Sequence, residues 1–179
     1  LETDNVPTIW KQYIWGTARD RKLIDLLHLL PRLGARTATL HDRLRGNSQE
    51  KPWTLGDGFK PETEGSPAFH DPWPPDTLYL PSKEIPSLIL LPSDCKAAPT
   101  SRLHRRPDNI IFTPPHVLIS EKLNTTFANF PVVFADAIRG LAGPEQDEDL
   151  LRFFTAYLNS DLAQYFLFHT SAYWGQERD

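Results

Sequence analysis

The sequence predicts an α+β fold: short, proline-interrupted β-strands in a mixed or antiparallel sheet, with flanking helices that include a C-terminal pair. Three observations carry this expectation. Leu23, Leu26, Leu27 and Leu30 recur at helical spacing near the start, as do Leu150, Leu151, Phe154, Tyr157 and Leu158 near the end. Between them lie short runs rich in Leu, Ile, Val, Phe and Thr, punctuated by prolines at positions 81, 86, 92, 107, 114, 115 and 131. The strand–helix–strand alternation of a nucleotide-binding sheet is missing.

The stretch 7–15, with Ile9, Trp10, Tyr13 and Ile14, suits either a strand or a short helix. Thr17 followed by Asp20 reads as an N-cap with an acidic residue three positions on, a variant of the capping box. The leucine stripe then runs until Pro31 and Gly34 stop it. Residues 46–76 hold six prolines and four glycines, at 46, 52, 56, 58, 61, 65, 67, 72, 74 and 75, which disfavours both helix and sheet ladder. This predicts a long loop excursion. Trp53, Phe59, Phe69 and Trp73 argue that it packs partly on the body and partly reaches a ligand. Strand-like runs follow at 77–80, 87–91, 109–112, 117–120, 125–127 and 132–136, short and in several cases at edges because of the prolines. Pro144 stands where a helix starts. Asn159 and Ser160 can end that helix and cap the next, whose buried face is read as Leu162, Ala163, Phe166 and Leu167.

Composition bounds the function. A chain of 179 residues with 40% hydrophobic and 23% charged residues has the usage of one globular domain. No apolar run approaches the roughly 20 residues of a membrane span, and no signal peptide is visible, so a cytoplasmic chain with no membrane partner is expected. The absence of any Met reads most simply as a fragment of a longer protein. The lone Cys95 excludes an internal disulfide, and the histidines at 28, 41, 70, 104, 116 and 169 include no helical i, i+4 pair, so no metal site is expected. The net charge of −4 opposes nucleic acid as a partner, but the charges are polarised. Arg19, Arg21, Lys22, Arg32, Arg36, Arg43 and Arg45 make the early segment basic, Arg102, Arg105 and Arg106 form a second basic knot, and acids gather at 62–76 and 145–149. A polarised surface can bind a polyanion despite a negative total; the alternative is basic faces that are merely solvated.

No catalytic constellation stands out. Gly56-Asp57-Gly58 lacks the strand, helix and third glycine of a cofactor loop, and reads better as a tight turn exposing its backbone. Serines lie in Pro-rich turns rather than a nucleophile elbow. The acids from Glu145 to Asp149 precede a helix and suit the positive end of its dipole, with a divalent-metal nuclease site as the alternative.

Several strings resemble one family. The last thirty residues, with Leu158-Asn159-Ser160 and Ser171-Ala172-Tyr173-Trp174-Gly175, join Trp15-Gly16-Thr17-Ala18-Arg19-Asp20, Gly56-Asp57-Gly58-Phe59, Phe112 to Ser120 and the segment 132–140. Together they resemble the target-recognition region of TaqI-like adenine-specific DNA methyltransferases of bacterial restriction-modification systems. The family's catalytic tetrapeptide is Asn or Asp, two prolines and an aromatic. Thr113-Pro114-Pro115-His116 does not match it, because Thr is a poor acceptor for the adenine amino group and His a weak stacking face.

The resemblance implies a single target-recognition domain over 1–179 that selects a sequence on double-stranded DNA. A methyltransferase domain of the same chain would bind S-adenosylmethionine and perform the N6-adenine chemistry. This segment would hold no catalytic residue, cofactor or metal. Phosphate and base contacts then fall to Gly56, Asp57, Gly58 and Lys60, and to Arg102, His104, Arg105 and Arg106. Trp10, Trp15 and Trp174 are read as packing residues, Trp53 and Trp73 as more open to contact. The alternative function is a protein–protein or subunit-docking module, favoured by the C-terminal helices and the acidic run; an independent hydrolase is a third and weaker reading.

Overall fold

The computed structural model of the chain describes residues 13–29, 33–46 and 51–170, and these form an α+β structure. The helices are α1 (Ala18–His28), α2 (Leu40–Leu44), α3 (Glu148–Leu158) and α4 (Asp161–Thr170). Contacts divide the chain into two compact units, Leu1–Arg32 with Ser160–Asp179, and Leu33–Asn159. The boundary therefore falls between the two C-terminal helices, at the Asn159–Ser160 step that the sequence marks as a stop and a cap.

In the first unit α1 starts as its sequence requires. Asp20 N–H donates to Thr17 Oγ1 at 3.3 Å, and Thr17 N–H donates to Asp20 Oδ2 at 2.6 Å. The capping box so formed satisfies two amides that a helix start leaves without partners. The Tyr165 hydroxyl of α4 donates to the same carboxylate at 2.5 Å. The Tyr165 hydroxyl, and then the Thr17 amide and hydroxyl, hold the Asp20 carboxyl well below the usual carboxylate range. The buried face differs from the leucine stripe: Ile24 is buried, whereas Leu23 and Leu26 are exposed. Trp15, expected in the core, is 66% exposed. In α4 the Ser160 hydroxyl accepts from Ala163 N–H at 3.3 Å, the expected cap. Ala163 and His169 are buried there, while Leu162 is exposed, against expectation. Trp10, Leu30, Pro31, Arg32 and Trp174 lie outside the described residues.

The second unit carries the strands β1 (Thr37–Thr39), β2 (Trp53–Asp57), β3 (Lys60–Pro61), β4 (Leu78–Leu80), β5 (Leu88–Ile89), β6 (Lys96–Ala97), β7 (Leu103–Arg105), β8 (His116–Ser120), β9 (Thr125–Ala128), β10 (Val133–Phe134) and β11 (Ile138–Ala142). Six of them form a mixed sheet in the order β1-β2-β11-β8-β9-β5, with parallel pairs at both ends and antiparallel pairs between. β10-β4-β6 form a second sheet, and β3-β7 an antiparallel ribbon. One core cluster gathers Phe59, Trp73, Leu80, Leu103, Phe112 and Phe134 with their neighbours. Another packs Trp53, Val117, Phe127 and Leu141 against Leu151 of α3.

The region 46–76 is the largest departure from the expected loop. Its proline count hides a proline-free window, Trp53 to Lys60, and β2 fills it, paired on both edges by β1 and β11. Trp53 is buried in that strand, and its indole N–H donates to Asp147 Oδ2 at 2.7 Å, an oxygen that Arg36 also holds at 3.1 Å. The contact role considered for Trp53 is thereby replaced by an anchoring one. The run 109–112, expected as a strand, is a 3-10 turn, because the Asp108 carboxylate accepts from Ile110 N–H at 2.9 Å and bends the chain there. The strands expected near 77–80, 87–91, 117–120, 125–127 and 132–136 form as β4, β5, β8, β9 and β10.

Asn159 closes α3 by clasping β9. Its Nδ2 donates to the backbone carbonyls of Thr125 at 2.8 Å and Thr155 at 2.9 Å, and Thr125 Oγ1 donates to Thr155 O at 3.1 Å. These bonds satisfy the Thr155 carbonyl in the last turn of the helix and tie the helix to β9. Among the described residues no helix is long and apolar enough to cross a membrane.

Candidate nucleic-acid interface

The ribbon brings together the two segments singled out for phosphate contact. Lys60 is the register partner of Arg105, and Pro61 that of Leu103. Two anchors position it. Phe59 is fully buried, rests against Trp73 and Tyr79 with ring centres 5.9 and 5.8 Å away, and donates its N–H to Phe134 O at 3.0 Å. Leu103 is fully buried and exchanges backbone hydrogen bonds of 3.0 Å with His70. With both anchors inside, Arg102 and Arg105 are exposed, and Lys60 and Arg106 half-buried.

Each cation is held differently. Arg105 Nη2 donates to Gly58 O at 3.1 Å. The Arg106 guanidinium lies over the Trp73 ring, 3.9 Å from its centre, a close cation–π contact. His104 Nδ1 donates to Pro67 O at 2.8 Å and its ring packs on Phe69. Among the described residues none of Lys60, Arg102, Arg105 and Arg106 is in an ion pair. The exposed carboxylates of Glu62, Glu64 and Asp71 occupy neighbouring turns and temper the local potential.

The glycine pair takes no part as a backbone cradle. Gly56 and Asp57 are strand residues opposite Gly140 and Arg139. Gly58 donates its N–H to Ile138 O at 3.1 Å and is buried. The expected outward-facing turn is thus a strand continuation pressed on the core. Nor do these residues fit S-adenosylmethionine, because the amides of a Gly-rich cofactor turn must face the ligand. Asp57 is paired with Arg139 at 3.1 Å on the exposed face. Arg139 is a site residue that the sequence reading missed; its signal is one charge inside the apolar run Ile138–Ala142.

None of the protein-family models, curated proteins or solved structures compared with this chain matches it. The site's chemistry therefore rests on its own residues and on the motif resemblance.

The early basic segment separates into roles. Arg36 is tied to Asp147, and Arg43 donates to the backbone carbonyls of Lys51 and Trp53, so both brace β2. Arg19, Arg21 and Lys22 lie on α1 in the other unit and are exposed.

Beside the ribbon opens a cleft of about 500 Å³. Trp73, Leu78, Phe112, Val132 and Val133 supply apolar walls, and Arg106, Asp76, Thr77, Asn109 and Thr113 polar ones. The Trp73 indole N–H is buried without an acceptor among the described residues, at a cost of about 1–3 kcal/mol. Burial, helped by the neighbouring Asp94 carboxylate, pushes the Cys95 thiol up to about 11, which disfavours its thiolate at neutral pH.

Proposed function

We propose that this chain is the sequence-specific DNA-recognition domain of a site-specific adenine-N6 DNA methyltransferase of restriction-modification type. It serves a methyltransferase domain of the same chain, which carries S-adenosylmethionine, and performs no methyl transfer alone. The single observation that supports this best is the β3–β7 ribbon. Two basic segments more than forty residues apart in the chain converge into one ridge of Lys60, Arg102, Arg105 and Arg106, without ion-pair partners among the described residues. Cations left unpaired on a twisted antiparallel ribbon suit the phosphates of a duplex. The motif resemblance supplies the reaction that the recognition serves.

Binding of a fluorescent duplex across 50–200 mM salt tests this. Affinity is expected to fall steeply, and Lys60→Ala, Arg102→Ala or Arg105→Ala each to reduce the slope of log affinity against log salt by about 1. A flat salt response, or transfer of labelled methyl groups to DNA by this chain alone, overturns the reading.

One observation favours a docking module as the second reading. Leu88 and Ile89 on the edge strand β5, Leu91 beyond it, and Leu150 and Phe153 on α3 are exposed. An apolar interface of that kind responds little to salt, so the same titration separates the two.

A further inference from the structure

We propose that Phe69 is a stacking platform for an unpaired base, so that the ribbon grips single-stranded DNA through a ring as well as through charge. This rests on the reading of the ribbon as a DNA interface.

The stretch 46–76 holds four aromatic side chains, and the fold treats one of them differently. Trp53, Phe59 and Trp73 are buried, whereas Phe69 is 67% exposed. Its backbone is nonetheless fixed. Phe69 N–H and His70 N–H both donate to Leu103 O at 3.0 Å, and Leu103 N–H donates to His70 O at 3.0 Å. Leu103 is fully buried, so this clamp is anchored in the core. The His104 ring, held by Pro67 O at 2.8 Å, packs on Phe69 with ring centres 5.4 Å apart. A single exposed apolar residue is ordinary on a protein surface. One that is clamped at its backbone, steadied at its ring and set among cations is preorganised for a contact.

The strand order puts those cations within reach. β7 lies between β3, where Lys60 is the partner of Arg105, and the segment at His70, which bridges to Leu103. Neighbouring strands are spaced by about 4.8 Å, so the two outer backbones run about 10 Å apart. A nucleotide can rest its phosphate on Arg102 or Arg105 and its base on Phe69. Every base has a π-face, so the contact needs no particular sequence. In an intact duplex those faces are covered by neighbouring bases. They are open where a strand is single, and there no unstacking has to be offset. The contact also carries no charge, so the carboxylates of Glu62, Glu64 and Asp71, which temper the field around the ribbon, leave it intact.

The test measures fluorescence anisotropy of a labelled single strand of mixed sequence, and of its fully paired duplex, with the 179-residue chain across the same salt range. Phe69→Ala and Phe69→Leu should weaken single-strand binding roughly fivefold to hundredfold. The slope of log affinity against log salt should stay unchanged, because no charge is removed. Phe69→Tyr, which keeps the ring, should bind within about twofold of the unaltered chain, and the paired duplex should lose under about threefold in every variant. The position is exposed, so the unfolding midpoint should hold in all three. Full single-strand affinity in Phe69→Leu would mean an apolar contact without stacking and overturns the proposal. Equal losses on single strand and paired duplex overturn it as well, since the ring then acts on intact DNA. Salt-dependent duplex binding with Phe69→Ala unchanged on the single strand overturns the platform and leaves the ribbon standing. No salt-dependent binding of either DNA overturns the reading of the ribbon, and the platform with it.

Discussion

His116 shows how one side chain ties local structure to solution behaviour. It opens β8, is fully buried, and its Nδ1 donates to Ile111 O at 3.0 Å. Burial depresses its pKa below the ordinary 6.5 and outweighs the carbonyls of Ile111 and Phe130, which favour the proton. The folded state thus keeps the ring neutral where the unfolded chain protonates it. Stability from this group is fully present above pH 6.5 and is lost as pH falls through that value toward the lower folded pKa. Urea unfolding between pH 7.5 and 5 should show stability falling on the acid side, approaching about 1.4 kcal/mol per pH unit from this one proton. His116→Gln should flatten that slope even if it lowers stability at pH 7.5. An unchanged slope in the variant would mean that the ring is charged in the fold. The same residue was considered at sequence level as the last position of a catalytic tetrapeptide. Its complete burial removes it from any reaction and leaves it as a neutral polar plug between the 3-10 turn and β8.

At the scale of the element, the ribbon depends on a glycine. A Cβ on Gly58 would fall 2.2 Å from Phe134 O and 2.4 Å from Ala135 O, both backbone atoms that cannot turn aside. Gly58→Ala therefore has to push β3 off β10 and the Phe59 pocket, at a cost of at least about 2 kcal/mol. It should lower the unfolding midpoint and weaken duplex binding together, because Lys60 is displaced with the strand. A variant of native stability would place the ribbon farther from β10. The glycine was legible in the sequence as special, but for the wrong reason: a close glycine pair reads as a turn, and only the tertiary approach of β10 and β11 makes it a strand. The same logic sorts the rest of the fold. β4 and β5 were legible because each is an apolar run between prolines, β8 and β9 as two runs of β-branched and apolar residues in the proline-free stretch 116–130, and β10 as an apolar run after Pro131. β1, β3, β6 and β7 are two or three residues long and carry Thr, Lys, Arg or Pro, so no periodicity marks them; their partners do. α1 was legible through its Thr17–Asp20 cap. Its leucine stripe misled because Leu23 and Leu26 are exposed while Ile24 is buried.

For the whole molecule, a net charge of −4 and a DNA-binding role are compatible only if charge is segregated. The site was legible as two basic strings, at Lys60 and at 102–106, because arginine clusters show in any reading of the chain. Their adjacency was not, since the Lys60–Arg105 register is set by the burial of the neighbouring Phe59 and Leu103 against residues distant in the sequence. Nor was the part of Asp57, which stood among the candidate contacts although a carboxylate repels phosphate. The fold resolves that tension by pairing Asp57 with Arg139 on an exposed face, with side chains 50% and 67% accessible. A pair this exposed contributes under about 1 kcal/mol to stability, so its partners are nearly free to exchange. A phosphate can take the place of Asp57 on Arg139, and the carboxylate then becomes the penalty. Asp57→Asn should leave the unfolding midpoint almost unchanged, raise duplex affinity by roughly threefold to tenfold at 0.1 M salt, and steepen the salt slope by about 1 as Arg139 joins the ridge. Arg139→Ala in that background should cancel the gain. If Asp57→Asn binds no more tightly and keeps the original slope, Arg139 lies off the path of the duplex and the contact surface ends at the ribbon.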